Sequence, residues 1–153
     1  MRFIMTRQGA LLVALAALIS ACGGDGGGAD TTSDGDTEGP AEITVVTTDF
    51  AFDPSTVSVA TGPEITVTVE NQGTVEHDWV VLDQGREISA ETDLPEDTAE
   101  VNQEWAVAAV HTEPGEAATT TFTAPAAGTY QIICVIPGHF SAGMEGELTV
   151  TDG

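Results

Sequence analysis

Residues 128–150 read GTYQIICVIPGHFSAGMEGELTV, two apolar, β-prone runs joined by a loop that carries Cys134, His139 and Met144. The first run, GTYQIICVI at 128–136, and the second, GELTVTD at 146–152, have the composition of strands bounded by glycine and proline. Working outward, the same short β-branched pattern recurs in EITVVTT at 42–48, STVSVAT at 55–61, EITVTVEN at 64–71, HDWVVLD at 77–83, AVAAVHT at 106–112 and ATTTFTA at 118–124. Seven to eight strands with turn residues between them predict an all-β antiparallel sandwich or barrel. The exception is 84–104, QGREISAETDLPEDTAEVNQE, where Glu96, Glu100 and Glu104 recur every fourth residue. That spacing predicts a loop or a short solvated helix with the glutamates on its wet face.

The 153 residues suit one domain preceded by export signals. Arg2 and Arg7 precede an uncharged apolar run from Ala10 to Ile19, too short to span a bilayer and the right length for a signal-peptide core. Ile19-Ser20-Ala21-Cys22 then resembles the lipobox of bacterial lipoproteins, which predicts a signal peptide over 1–21, cleavage before Cys22 and a lipid on its thiol. An ordinary secretory peptide ending at Ala21 is the alternative. Residues 22–40 are rich in Gly, Asp and Thr, and from residue 23 they contain no apolar side chain larger than alanine. They read as a tether with a typical end-to-end distance of about 24 Å, leaving 41–153 as the folded domain.

The formal net charge is −22 and there is no lysine. Beyond the expected cleavage point Arg86 stands alone against all 25 Asp and Glu. Binding of nucleic acid is excluded, because neutralising phosphates takes Lys and Arg. The acidity suits either steering toward a basic partner or solubility in salt. Its spread along tether and domain favours the second.

Cys134 has no partner for a disulfide except Cys22, across the tether. Structural zinc usually takes four strong ligands with paired cysteines, and no C-x-x-C is present. Thiolate, imidazole and thioether together, with a second imidazole, make the donor set of a blue-copper electron-transfer site. Pro137-Gly138 turns the chain so that His139 can face Cys134, and Gly143 allows the bend that brings Met144 in. The second imidazole is His77, which opens an apolar strand after the turn NQGTVE, or His111, beside the turn TEPGE. The turn beside His111 suggests a connection at another part of the sandwich, which favours His77.

With HDWVV upstream, CVIPGHFSAGMEGELTV resembles the cupredoxins, the type 1 blue copper proteins, nearest to their auracyanin- and plastocyanin/azurin-like members. The resemblance implies a Greek-key β-sandwich, one type 1 copper per domain and the ligands His77, Cys134, His139 and Met144. Many relatives carry Asn after the first histidine and Ser or Thr after the cysteine, whereas this chain has Asp78 and Val135. The side-chain hydrogen bond joining those two loops is therefore expected to be absent or altered, and an ionised Asp78 to favour Cu(II).

Phe140, with Ile136 and Pro137, is expected to form an apolar rim for a redox partner around His139, the expected electron port, unless Phe140 folds back over the loop. Trp79, Trp105, Phe122 and Tyr130 read as core or rim aromatics. The expected function is a lipid-anchored, monomeric carrier of single electrons between redox proteins, on the outer face of the cytoplasmic membrane. Copper delivery through the same ligands is the alternative. A copper enzyme of the nitrite-reductase kind would need further histidines, and only His111 remains.

Overall fold

The computed structural model describes residues 41–153. The expected signal peptide at 1–21, the lipidation site at Cys22 and the tether to residue 40 lie outside the described residues. The described chain forms nine strands: β1 (Ala41–Thr48), β2 (Ala51–Asp53), β3 (Thr56–Ala60), β4 (Glu64–Asn71), β5 (His77–Leu82), β6 (Ala106–Thr112), β7 (Ala117–Thr123), β8 (Gly128–Ile133) and β9 (Glu145–Thr151). Eight of them coincide with the alternating runs. The addition is β2, three residues that return on β1 in antiparallel register and bury Phe52.

Two sheets face each other, with strand orders β2-β1-β4-β7 and β3-β9-β8-β5-β6. The pairs β1–β4 and β3–β9 are parallel, and the remaining pairs are antiparallel. Sequence neighbours thus cross between sheets, as in a Greek-key sandwich. Alternation decides what goes inside: β4 turns Ile65, Val67 and Val69 inward and leaves Thr66 and Thr68 half-exposed. Burying each such side chain contributes roughly 1.5–3 kcal/mol before ordering costs. The main core also holds Val45, Trp79, Tyr130, Ile132 and Leu148.

The five-stranded sheet breaks alternation where it is covered on both faces. All six residues of β5 are buried, and so are Ile132 to Val135. Trp79, Val81, Ile132 and Cys134 face the main core. Val80, Leu82, Ile133 and Val135 face a second cluster, closed from outside by Ile88 and Val101, with Leu94, Trp105 and Phe140 packed against it. A continuous apolar run is what a strand needs when both of its faces are dry. That explains why QIICVI continues past the length that one core would require.

The cover is the segment between β5 and β6. It contains a 3₁₀ turn at Glu91–Asp93 and a short helical stretch from Thr98 to Trp105. Glu96, Glu100 and Glu104 are exposed, as expected. The segment is nevertheless more than a solvated loop, because Ile88 and Val101 are the lid of the second cluster.

Candidate metal centre

One end of the sandwich gathers the sulfur and nitrogen donors. His77 is the first residue of β5, and strand alternation places it on the inner face with Trp79 and Val81. Cys134 directly follows β8 on the neighbouring strand. The chain then turns tightly. His139 N–H donates to the Ile136 carbonyl at 3.1 Å, Gly143 N–H to Phe140 at 2.9 Å and Met144 N–H to His139 at 3.0 Å. Gly138 (φ 88°) and Gly143 (φ 96°) occupy the left-handed region that these turns require. Cys134 N–H donates to the Met144 carbonyl at 3.3 Å, which closes the loop where β9 begins.

The metal-binding atoms of His77, Cys134 and His139 all lie within 4.8 Å of one another, and all three residues are buried. Cys134 Sγ is 3.4 Å from His139 Nδ1, and the two imidazole centroids are 5.1 Å apart. Met144 is fully buried and packs in the main core with Cys134. Among the described residues, neither ring nitrogen of the buried His77 has a hydrogen-bond partner. Leaving such a group unsatisfied costs about 1–3 kcal/mol, which a metal would offset. Burial and the neighbouring His139 push the His77 pKa down and so favour the neutral, ligating imidazole. Burial raises the Cys134 thiol to about 11, so a metal must displace its proton. A soft thiolate, two imidazoles and a thioether suit copper in both of its oxidation states.

The outer wall of His77 is built from the turns after β1 and β4. Asp49 accepts hydrogen bonds from Thr74 N–H and Thr74 Oγ1, both at 2.7 Å, and its Oδ1 lies 3.7 Å from His77 Nε2. Gly73 allows this approach, since a Cβ there would stand 2.5 Å from Asp49 Oδ1 and 2.9 Å from His77 Nε2.

Asp78 and Val135 take roles that their types permit. The Asp78 N–H donates to Cys134 Sγ at 3.4 Å, while its carboxylate bonds His111 Nδ1 at 2.8 Å. Val135 is fully buried in the second cluster. The side-chain link expected to be altered is thus replaced by a bond across β5–β6 and by apolar packing. Burial raises the Asp78 pKa, and the bond to Asp78 raises that of His111. His111 lies at the same end of the sandwich as His77, contrary to the position expected from its turn. It faces outward because it pairs with Asp78, whereas His77 pairs with the inward Thr112. It stands half-exposed among Glu76, Asp78 and Glu113 and does not join the donor group.

His139 keeps 8% of its surface exposed, whereas His77, Cys134 and Met144 keep none. The aromatic ring against it is Phe50, edge-on at 5.0 Å between centroids. Phe140 instead folds back, half-buried, against the second cluster. Phe50 is 42% exposed and, among the described residues, is the one non-glycine with positive φ. It sits in the two-residue turn between β1 and β2. No periodic signal marks it, and β2 is too short for its pattern to stand out.

Glu91 is a second residue that the sequence conceals. Its Oε1 accepts from Gly138 N–H at 2.6 Å, and its Oε2 accepts from Ser141 N–H at 3.0 Å and Ser141 Oγ at 2.9 Å. Nothing in ISAETDLPED distinguishes it from its acidic neighbours.

Comparisons with known proteins also lead to copper. The family model of copper binding proteins of the plastocyanin/azurin family matches residues 40–151. Auracyanin-A of Chloroflexus aurantiacus is 33% identical over 156 residues, covering 92% of this chain and 93% of the relative. Among solved structures, sodium-dithionite-reduced auracyanin from Roseiflexus castenholzii superposes with a TM-score of 0.63 at 32% identity, covering 74% of this chain and 99% of its own. Auracyanin A, described as a "blue" copper protein from Chloroflexus aurantiacus, superposes with a TM-score of 0.60 at 30% identity, covering 74% and 100%.

Proposed function

Because the chain belongs to the plastocyanin/azurin family of copper-binding proteins, copper is its cofactor, and we propose that His77, Cys134, His139 and Met144 hold that copper. The protein is a blue copper protein similar to auracyanin, which implies electron transfer. When bound, copper supplies one-electron chemistry by alternating between two oxidation states. In our reading the chain carries single electrons between redox partners outside the cytoplasmic membrane and turns over no substrate. The observation that carries the ligand assignment is the convergence of three buried donors within 4.8 Å, with both His77 nitrogens unpartnered.

The residues divide the work. Cys134 supplies the thiolate, steadied by the Asp78 N–H, and Met144 the thioether from the core side. His139 is the port, since it alone of the four reaches the surface, beside Phe50. Phe50 and Val75 are the exposed large hydrophobic residues among those described, and Thr74 ties their two turns together through Asp49. This small apolar patch amid carboxylates suits brief docking with a redox protein whose own patch is rimmed by Lys and Arg. Cys22 is the proposed lipid anchor, and the chain is proposed to act as a monomer.

The test is to load the full chain with Cu(II) and record visible absorption. We expect an intense thiolate-to-copper band that is lost in Cys134→Ser; a colourless wild-type protein rejects the assignment. Retention of copper against a chelator through repeated redox cycles supports a carrier, and rapid surrender supports delivery. Movement of the protein from membrane to soluble fraction in Cys22→Ser tests the anchor.

A further inference from the structure

We propose that Glu91 is a positioning residue for the ligand loop, a carboxylate clamp that holds the turn carrying His139 in one geometry. The inference rests on the ligand assignment above and extends it to a residue some 47 positions away in sequence.

Two of the amides that the turn does not use internally go to an outside acceptor. Its internal hydrogen bonds use the N–H groups of His139, Ala142, Gly143 and Met144. Those of Gly138 and Ser141, on either side of His139 and Phe140, point instead to Glu91, one to each carboxylate oxygen, and the Ser141 hydroxyl adds a third donor. Backbone amides converging on an anion form a small nest, and charge-assisted bonds of this length are about twice as strong as neutral ones. Burial works to raise the Glu91 pKa, but the bonds from Gly138 and Ser141 outweigh it and keep the carboxylate ionised.

The clamp is mounted on a fixed base. Gln131 of β8 grips Ile88 twice, accepting from its N–H at 2.8 Å and donating to its carbonyl at 3.0 Å. Asp93 accepts from the N–H groups of Ser89 and Ala90, and the Leu94 N–H caps the Glu91 carbonyl. Glu91 therefore carries the stiffness of the five-stranded sheet to the loop. An electron carrier benefits when its ligands move little between charge states, and His139 is the ligand with the least protein around it. Groups that orient metal ligands from outside typically change metal affinity by about 10- to 100-fold when removed.

The test compares the wild-type full chain with Glu91→Ala, Glu91→Gln and Glu91→Asp. In the metal-free proteins, hydrogen exchange at the Gly138 and Ser141 amides should be slow in the wild type and fast in Glu91→Ala. Copper release to a chelator should be about 10-fold faster or more in Glu91→Ala. Glu91→Gln, which keeps an acceptor oxygen on one side only, should fall between, and Glu91→Asp should lie nearer to wild type. The reduction potential of Glu91→Ala should rise, because a negative charge beside His139 is gone. Unchanged exchange at the two amides overturns the clamp, as do wild-type release and potential in Glu91→Ala. Failure of the wild type to bind copper rejects the ligand assignment instead, and the exchange measurement then still decides whether Glu91 holds the turn.

Discussion

The ligand loop 134–144 and the segment 84–105 both lie at the five-stranded sheet, yet they keep their shapes by opposite means. The loop is tied from within: Cys134, Val135 and Met144 are fully buried, and its turns bond to one another. The segment has only local turns and a short helical stretch of its own, and is fastened to the sheet by what it covers, through Ile88 and Val101 in the second cluster. Glu91 is where the two meet. A loop built around its donors has its chemistry written into rare residue types. A loop that serves as a cover can be built from common ones.

Removing the anchor of each region tests that contrast. Met144 belongs to the main core as well as to the donor set, so Met144→Ala should destabilise the metal-free protein by about 3 kcal/mol in chemical denaturation. A loss under about 1 kcal/mol would mean that the turns alone hold the loop. Val101→Ala should cost about 2 kcal/mol, because the residue has no exposed surface and leaves a void over Val80 and Val135. Its copper-loaded form should keep the wild-type absorption band. A changed band would show that cover and loop are not separable.

Legibility in the sequence follows the same division. Most of the strands were readable because half-buried sheets force an alternation of two, as β4 and β9 show, and β5 and β8 because a continuous apolar run between turn residues also reads as a strand. The donor group was readable because a cysteine, a histidine and a methionine between two strands are costly to place without purpose. β2 was missed because three residues carry no period. Phe50 and Glu91 were missed because their roles arise only when chain segments far apart are brought together. Both faces of β5 being dry could be suspected from HDWVVL, but the sequence does not say what covers the outer one.

Asp78 probes the boundary between the sheet and the loop. Its amide touches the Cys134 sulfur while its carboxylate is engaged by His111, so the charge is near the site but partly balanced. Asp78→Asn should raise the reduction potential, by an amount on the order of 1 kcal/mol in the balance of oxidised and reduced forms. Voltammetry giving an unchanged or lower potential would mean that His111 already cancels the carboxylate.

The smallest effect is expected where the sequence pattern of 84–104 was most regular. Glu96 and Glu100 are exposed, and no hydrogen bond or ion pair engages either side chain among the described residues. With a net charge of −22, neutralising them removes repulsion rather than attraction. The double variant Glu96→Gln/Glu100→Gln should therefore change stability by no more than about 0.5 kcal/mol, with any gain largest at low salt. Copper release should match wild type, in contrast to Glu91→Ala. These glutamates share one segment, one charge and one side chain. If the double variant loosened copper as Glu91→Ala is expected to, the general acidity of the segment would be holding the loop, rather than the three bonds that single Glu91 out.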